Sequence, residues 1–94
     1  MVMPVEEQFD YWKMAQEAQD EVDRVWEALG RVKDTKVLGA AEQLKKQNNI
    51  RHLEIILSEQ RGNVRLFLRR AISRGQITEG DLLRFAARIK GRLP

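Results

Sequence analysis

The sequence contains no cysteine and only one histidine, His52. Without cysteine the chain has no disulfide, no thiolate nucleophile and no cysteine-based metal site, and one imidazole is too few for a histidine-based metal site within one chain. Glu54 and Ser58 follow His52 by two and six residues, so on a helix they do not share its face and no catalytic triad is predicted. These absences favour a protein that is not an enzyme and that needs no metal and no cofactor.

Long apolar runs are also missing. No stretch approaches the roughly 18 to 20 apolar residues that a membrane span requires, and residues 1–7 lack the basic and apolar regions of a secretory signal. We therefore expect a cytoplasmic protein with no membrane partner.

The composition is that of a globular chain, with 43% hydrophobic and 33% charged residues among 94. One all-α domain over residues 1–94 is predicted. A chain of this size buries only somewhat over about 60% of its unfolded surface when it folds, so additional burial against copies of itself would stabilise it. We expect a homo-oligomer, with a dimer favoured.

Charge is segregated along the chain, which carries a net +3. Residues 1–30 contain eight carboxylates and two cationic side chains, whereas residues 61–92 contain nine cationic side chains and two carboxylates. A basic half of this density predicts an anionic partner. The candidates are a nucleic acid, an acidic protein surface and the chain's own acidic first helix.

The first helix is predicted over residues 5–30, beginning after Pro4 and ending at Gly30. Heptad spacing places Trp12, Gln19 and Trp26 at one core position, and Ala15, Val22 and Leu29 at the next. Two interpretations of the tryptophans are open, a binding surface or large core anchors, and the second is favoured. The candidate residues of a core or oligomer seam are Phe9, Trp12, Val22, Trp26 and Leu29.

A connector at residues 31–35 and a second long helix over residues 36–60, antiparallel to the first, complete a predicted hairpin. Apolar residues lie on two displaced arcs of this helix, Val37, Leu38, Ala41 and Leu44 on the first and Ile50, Leu53 and Leu57 on the second. The displacement falls at residues 47–49 and fits either one helix with a rotating apolar face or two helices broken at the asparagines. The single helix is favoured.

Two shorter helices are predicted in the basic C-terminal part, residues 61–94. Gly62-Asn63 is expected to end or kink the second helix, and Gly75 to end the one that follows. Thr78 and Asp81 have the spacing of a capping box, which predicts a last helix that begins near Thr78. Its predicted core stripe consists of Leu82, Phe85, Ala86, Ile89 and Leu93.

The turn at residues 74–81 resembles the helix-turn-helix connection of the short C-terminal domain family found at the ends of many bacterial proteins. The resemblance is carried by Gly75, Ile77, Thr78 and Asp81, covers about 25 residues and implies no activity. A DNA-binding helix-turn-helix is disfavoured, because aligning Ala71 and Gly75 with that motif puts five polar side chains at core positions. These are Arg70, Arg74, Gln76, Asp81 and Arg84.

Arginines recur at intervals of four in this basic part, so each set follows one side of its helix. On the last helix the line of Arg84, Arg88 and Arg92 is predicted to lie opposite the core stripe. The candidate anion- or partner-binding residues are Arg61, Arg65, Arg69, Arg70, Arg74, Arg84, Arg88 and Arg92. Two functions are predicted: a helical adaptor or regulator that binds protein and self-associates, and an accessory nucleic-acid-binding protein that contacts phosphates without reading sequence.

Overall fold

The computed structural model describes residues 9–89, which form three α-helices and no strand within that range. The helices are α1 (Tyr11–Asp34), α2 (Ala40–Ser73) and α3 (Glu79–Ile89). The molecule is elongated, with principal extents of 64 × 29 × 14 Å. The all-α fold class is confirmed.

Helix α1 begins later and ends later than predicted. Asp10 is its N-cap, and the Asp10 carboxylate accepts a hydrogen bond of 2.9 Å from the backbone N–H of Lys13. The predicted start near Pro4 lies outside the described residues. At the other end the helix continues through Gly30, and Thr35 closes it by donating its backbone N–H and its hydroxyl to the carbonyl of Arg31. One helical glycine costs only about 1 kcal/mol relative to alanine, which the packing of Leu29 beside it offsets.

Helix α2 is a single helix of 34 residues. The prediction that one helix passes through residues 47–49 is confirmed, but the predicted end of that helix at Gly62-Asn63 is wrong. The first of the two short C-terminal helices is therefore the end of α2. Val64, only 5% exposed, continues the buried face beyond the glycine, so a break there would separate two parts of one packing surface.

The two long helices form an antiparallel hairpin. Arg61 of α2 lies beside Trp26 of α1, whereas Arg70 near the end of α2 and Arg74 just after it lie beside Tyr11 at the start of α1. The buried face of α1 repeats with spacings of four and three residues, as in a coiled-coil seam, and comprises Tyr11, Ala15, Ala18, Val22, Val25 and Leu29. On α2 the matching positions are Ile50, Leu53, Leu57, Gln60, Val64, Phe67 and Ala71.

The heptad predicted for α1 therefore matches the buried seam at only some of its positions. Val22 and Leu29 are buried in the hairpin, at 1% and 5% exposure. Trp12 and Trp26 flank the seam and are half-buried, and Phe9 precedes the helix and is 46% exposed. Gln19 is buried at 3% exposure and donates a 3.0 Å hydrogen bond to Asp23, which satisfies its amide beside the seam.

Residues 40–49 of α2 extend beyond the end of α1, and only Lys46 among them is half-buried. The extended connector at residues 35–39 runs back along this segment. Lys46 donates to the carbonyl of Thr35 at 2.7 Å, and Gln43 donates to that of Val37 at 3.3 Å. Gln43 and Lys46 occupy the positions where the seam of α2 would continue, so polar side chains holding the connector replace apolar ones there.

Helix α3 follows a tight turn in which Gly75 has a φ of 68°, a left-handed conformation that glycine adopts without strain. The predicted capping box is formed: Thr78 Oγ1 accepts from the N–H of Asp81, and the Asp81 carboxylate accepts from the N–H of Thr78, each at 3.1 Å. Phe85, 4% exposed, then packs edge-to-face on Trp12, with ring centroids 5.4 Å apart. Through this contact α3 lies against α1.

Candidate functional site

An exposed apolar line runs along the side of α2 that faces away from α1. Leu44, Ile55 and Leu66 are 63%, 52% and 43% exposed, and they recur every 11 residues. Because 11 residues make about three helical turns, the three side chains lie on one side of the helix. The line is about 33 Å long at 1.5 Å per residue. Helix α2 therefore has two apolar sides, one in the hairpin seam and one in solvent.

Other residues between Leu44 and Leu66 lie on the same side of α2, and together with the three apolar residues they form what we call the outer face of α2. At 100° per residue its members fall within an arc of about 80°, and they are Leu44, Asn48, Arg51, Ile55, Glu59, Gly62 and Leu66. All but the half-buried Gly62 are exposed. Arg51 and Glu59 form no ion pair with other side chains of the described residues. The two charges are eight residues apart, too far to pair with each other along the helix.

The predicted anion-binding arginines do not form one continuous surface. The guanidinium of Arg61 lies 5.5 Å from the ring centroid of Trp26, and those of Arg70 and Arg74 lie 5.6 and 5.3 Å from that of Tyr11. A guanidinium over an aromatic face is held by the ring's negative quadrupole. These three arginines therefore cover aromatic residues of α1.

Arg84 and Arg88 of α3 are paired with carboxylates of the same chain. Arg84 pairs with Asp81, and Arg88 lies 2.5 Å from Asp20 and 3.0 Å from Asp23 of α1. Burial alone would lower the pKa of the Arg88 guanidinium, but hydrogen bonds and negative charge from the two aspartates raise it on balance. The predicted position of Arg88 opposite the core stripe is wrong, because it lies at the edge of that stripe and reaches α1. The acidic first helix thus neutralises part of the basic half.

Arg65 and Arg69 are exposed, and neither pairs with a carboxylate among the residues that the structure describes. They follow Arg61 along one side of α2. Arg92 lies outside the described residues. Among the predicted arginines that the structure describes, these two have the geometry best suited to an external anion.

A shallow groove opens where α1 and α2 pack side by side near the connector end. Its apolar floor consists of Trp26, Leu29 and Leu57, and the remaining lining residues are Lys33, Glu54, Ser58, Arg61 and Arg65. Three cationic side chains against one carboxylate give the groove a positive character. It suits an acidic protein segment that presents an apolar side chain.

Gln76 connects the turn between α2 and α3 to the start of α1, and it was not identified from the sequence. Its side-chain oxygen accepts the backbone N–H of Trp12 at 3.2 Å, and its amide nitrogen donates to the carbonyl of Phe9 at 2.9 Å. One side chain thereby satisfies a free N–H in the first turn of α1. No sequence signal reveals this bridge, since it depends on the antiparallel return of α2.

The hydrogen bonds of the capping box also set the charge state of Asp81. The backbone N–H of Thr78 contributes most to lowering the pKa of the Asp81 carboxyl below its ordinary value, and the Thr78 hydroxyl and Arg84 lower it further. The box is therefore formed with the ionised carboxylate at neutral pH.

No family model, no curated protein and no solved structure matches the chain. The likeness of residues 74–81 to the short C-terminal domain family accordingly rests on those residues alone. Over the described residues, no helix is long and apolar enough to cross a membrane, and no group of three or more His, Asp or Glu side chains has the geometry to hold a metal ion. His52 is exposed.

Proposed function

We propose that the chain is a small cytoplasmic adaptor or regulatory protein without enzymatic activity, which acts by binding other protein chains and copies of itself. The observation that carries the proposal is the outer face of α2, on which Leu44, Ile55 and Leu66 are aligned and exposed. Single exposed apolar residues are ordinary on protein surfaces, but aligned ones on a helix are typical of helix-docking surfaces. Burying such a side chain contributes about 1.5 to 3 kcal/mol when burial is complete.

The positive groove beside Trp26 supports a further protein partner. Lys33, Arg61 and Arg65 surround an apolar floor, which favours an acidic segment carrying a hydrophobic anchor. An interface of this kind combines charge attraction at its rim with burial at its centre.

A second candidate function is phosphate-backbone binding, and the exposure of Arg65 and Arg69 without carboxylate partners favours it. Each phosphate contact contributes about 0.9 to the slope of log affinity against log salt concentration on duplex DNA. Two contacts predict a slope near −1.8 by that rule.

One set of measurements separates the two functions. We would determine the molar mass by sedimentation between 1 and 100 µM, and the affinity for a generic 20-base-pair duplex and a single strand at 50 and 200 mM salt. The adaptor proposal predicts concentration-dependent association that Ile55→Asp weakens, with little duplex binding at either salt concentration.

The proposal is overturned if the duplex binds tightly and with a steep salt dependence while Ile55→Asp changes nothing. In that case the Arg65→Ala, Arg69→Ala double variant should weaken duplex binding and reduce the slope by up to about 1.8. Arg24→Ala is the matched control, because Arg24 is exposed but already paired with Glu21 on the acidic helix.

A further inference from the structure

The outer face of α2 is self-complementary about Ile55. Its residues lie at equal distances on either side of this centre: Leu44 and Leu66 at 11 residues, Asn48 and Gly62 at seven, and Arg51 and Glu59 at four. Two α2 helices packed face to face and antiparallel, with a two-fold axis at Ile55, bring each residue level with its counterpart. Leucine then meets leucine, isoleucine meets isoleucine, and arginine meets glutamate.

We propose that the partner of the outer face is a second copy of this chain, bound antiparallel with Ile55 on the two-fold axis. The proposal rests on the protein-binding function proposed above and gives it a definite partner and register. Charge selects this arrangement: Arg51 lies level with Glu59 of the partner subunit, and the symmetric pair repeats on the other side of the axis. Neither residue has an ionic partner among the described residues of its own chain.

Packing is consistent with this register. Gly62 has no side chain, and in its surroundings only the tip of Arg65, at 4.0 Å, would touch an added Cβ. The glycine therefore leaves room for Asn48 of the partner subunit. Small residues at such positions let two helices approach to the 8 to 10 Å typical of helix packing.

A parallel pairing of the same faces lacks these matches. In a parallel dimer every residue meets its own copy, so Arg51 would face Arg51 and Glu59 would face Glu59. Like charges at both positions disfavour association. The apolar residues alone would permit either direction, and the two charges distinguish them.

Because the chain contains no cysteine, single cysteine variants report the register directly. Under mild oxidation, Ile55→Cys should form a disulfide-linked dimer with itself, since the two positions face each other across the axis. Leu44→Cys and Leu66→Cys should each fail to crosslink alone, because identical positions lie about 33 Å apart at 1.5 Å per residue. A mixture of the two should crosslink. Leu83→Cys, at 66% exposure on α3, is the matched control and should remain uncrosslinked.

A charge exchange provides the second test, with association measured by sedimentation and folding monitored by circular dichroism. Arg51→Glu and Glu59→Arg should each weaken dimerisation by about tenfold, because two exposed ion pairs become repulsive contacts. The double variant should recover affinity close to that of the original chain.

Several outcomes would overturn the arrangement. Crosslinking of Leu44→Cys with itself would establish a parallel dimer. Crosslinking through Leu83→Cys would establish a dimer that forms through another surface. Both results would overturn the proposed register but would still show that the chain self-associates. A monomer mass at 100 µM would remove the homodimer altogether. Duplex binding through Arg65 and Arg69 is measured separately, so failure of the register and failure of the proposed function give different results.

Discussion

Replacing Phe85 by alanine tests how α3 is attached to the hairpin. Phe85 is 4% exposed and packs on Trp12 at 5.4 Å between ring centroids. Truncating a buried phenylalanine costs about 3 to 5 kcal/mol in a well-packed core. Arg88 of α3 also contacts α1, through ion pairs with Asp20 and Asp23. These pairs are exposed and contribute little to stability on their own.

We therefore expect the variant to release α3 without unfolding the hairpin. A helix of 11 residues is marginal in water when it is isolated, so undocking should also unfold it. The seam between α1 and α2 does not need Phe85, since Val22, Leu57 and Val64 pack within it. The free energy lost is then limited to that of docking α3.

Amide hydrogen exchange and circular dichroism measure this outcome. Amides of α3 should lose their protection, while those near Leu29 and Leu57 should keep it. Ellipticity should fall by about one sixth, the share of α3 in described helices of 24, 34 and 11 residues. Leu83→Ala, at 66% exposure on the same helix, is the control and should change little. Loss of protection throughout the hairpin would refute the reasoning, because α3 would then be an integral part of one cooperative unit.

Three further predictions concern the turns and caps. The pKa of Asp81 is lowered in the folded chain, so its stabilising contribution is present above the unfolded pKa of about 3.9 and is lost as the pH falls through the folded pKa. Amide exchange in α3 should accelerate in that pH range, and it should accelerate less in Asp81→Asn. Gln76→Ala should lower the free energy of unfolding by about 1 to 2 kcal/mol in urea titrations, because it removes two hydrogen bonds to the start of α1. Gly39→Ala should lower the free energy of unfolding by about 1 kcal/mol, since the φ of 89° at Gly39 is unfavourable for alanine. Gly30→Ala should not be destabilising, because Gly30 lies within a helix and has open space where the Cβ would be added.

The helical class and the hairpin could be predicted from sequence because they follow from apolar periodicity over long segments. The phase of the seam could not. Large side chains drew the predicted core toward Trp12 and Trp26, whereas the seam is lined at several positions by alanines such as Ala15, Ala18 and Ala71, which are 0%, 7% and 0% exposed. Small residues allow close approach of two helices, and the tryptophans then cover the edges of the contact.

Helix ends were the least predictable part of the fold. Gly30 and Gly62 lie within helices, whereas Gly39 and Gly75 adopt positive φ at helix ends. Gly62 and Gly75 both stand between polar neighbours, yet only Gly75 lies at a helix end, so local composition does not distinguish them. The difference is tertiary: the seam continues past Gly30 and Gly62 with Val32 and Val64, but it stops before Gly75.

The candidate site was predictable only in part. The displacement of the apolar arcs at residues 47–49 is a real signal, because Leu44 falls on the outer side of α2 and Ile50 on the inner side. The 11-residue spacing of Leu44, Ile55 and Leu66 is also present in the sequence. What the sequence could not reveal is that α1 covers the other side of α2 and leaves this one exposed. The charge segregation likewise left the acidic first helix as one of three candidate partners of the basic part, and it could not show that Arg88 would reach Asp20.

The segment 40–49 links the fold to the proposed dimer. It has no part of α1 opposite it and is held only by the connector, so in a single chain we expect its amides to exchange faster than those of residues 50–71. In the antiparallel dimer, Leu44 lies against Leu66 of the partner subunit, at a point where α2 is backed by α1. Association should therefore protect residues 40–49 and leave α3 unchanged. Hydrogen exchange at 1 and 100 µM protein, compared with Ile55→Asp at both concentrations, measures the effect. Equal protection of this segment in the dimer and in the monomeric variant would show that the interface lies elsewhere.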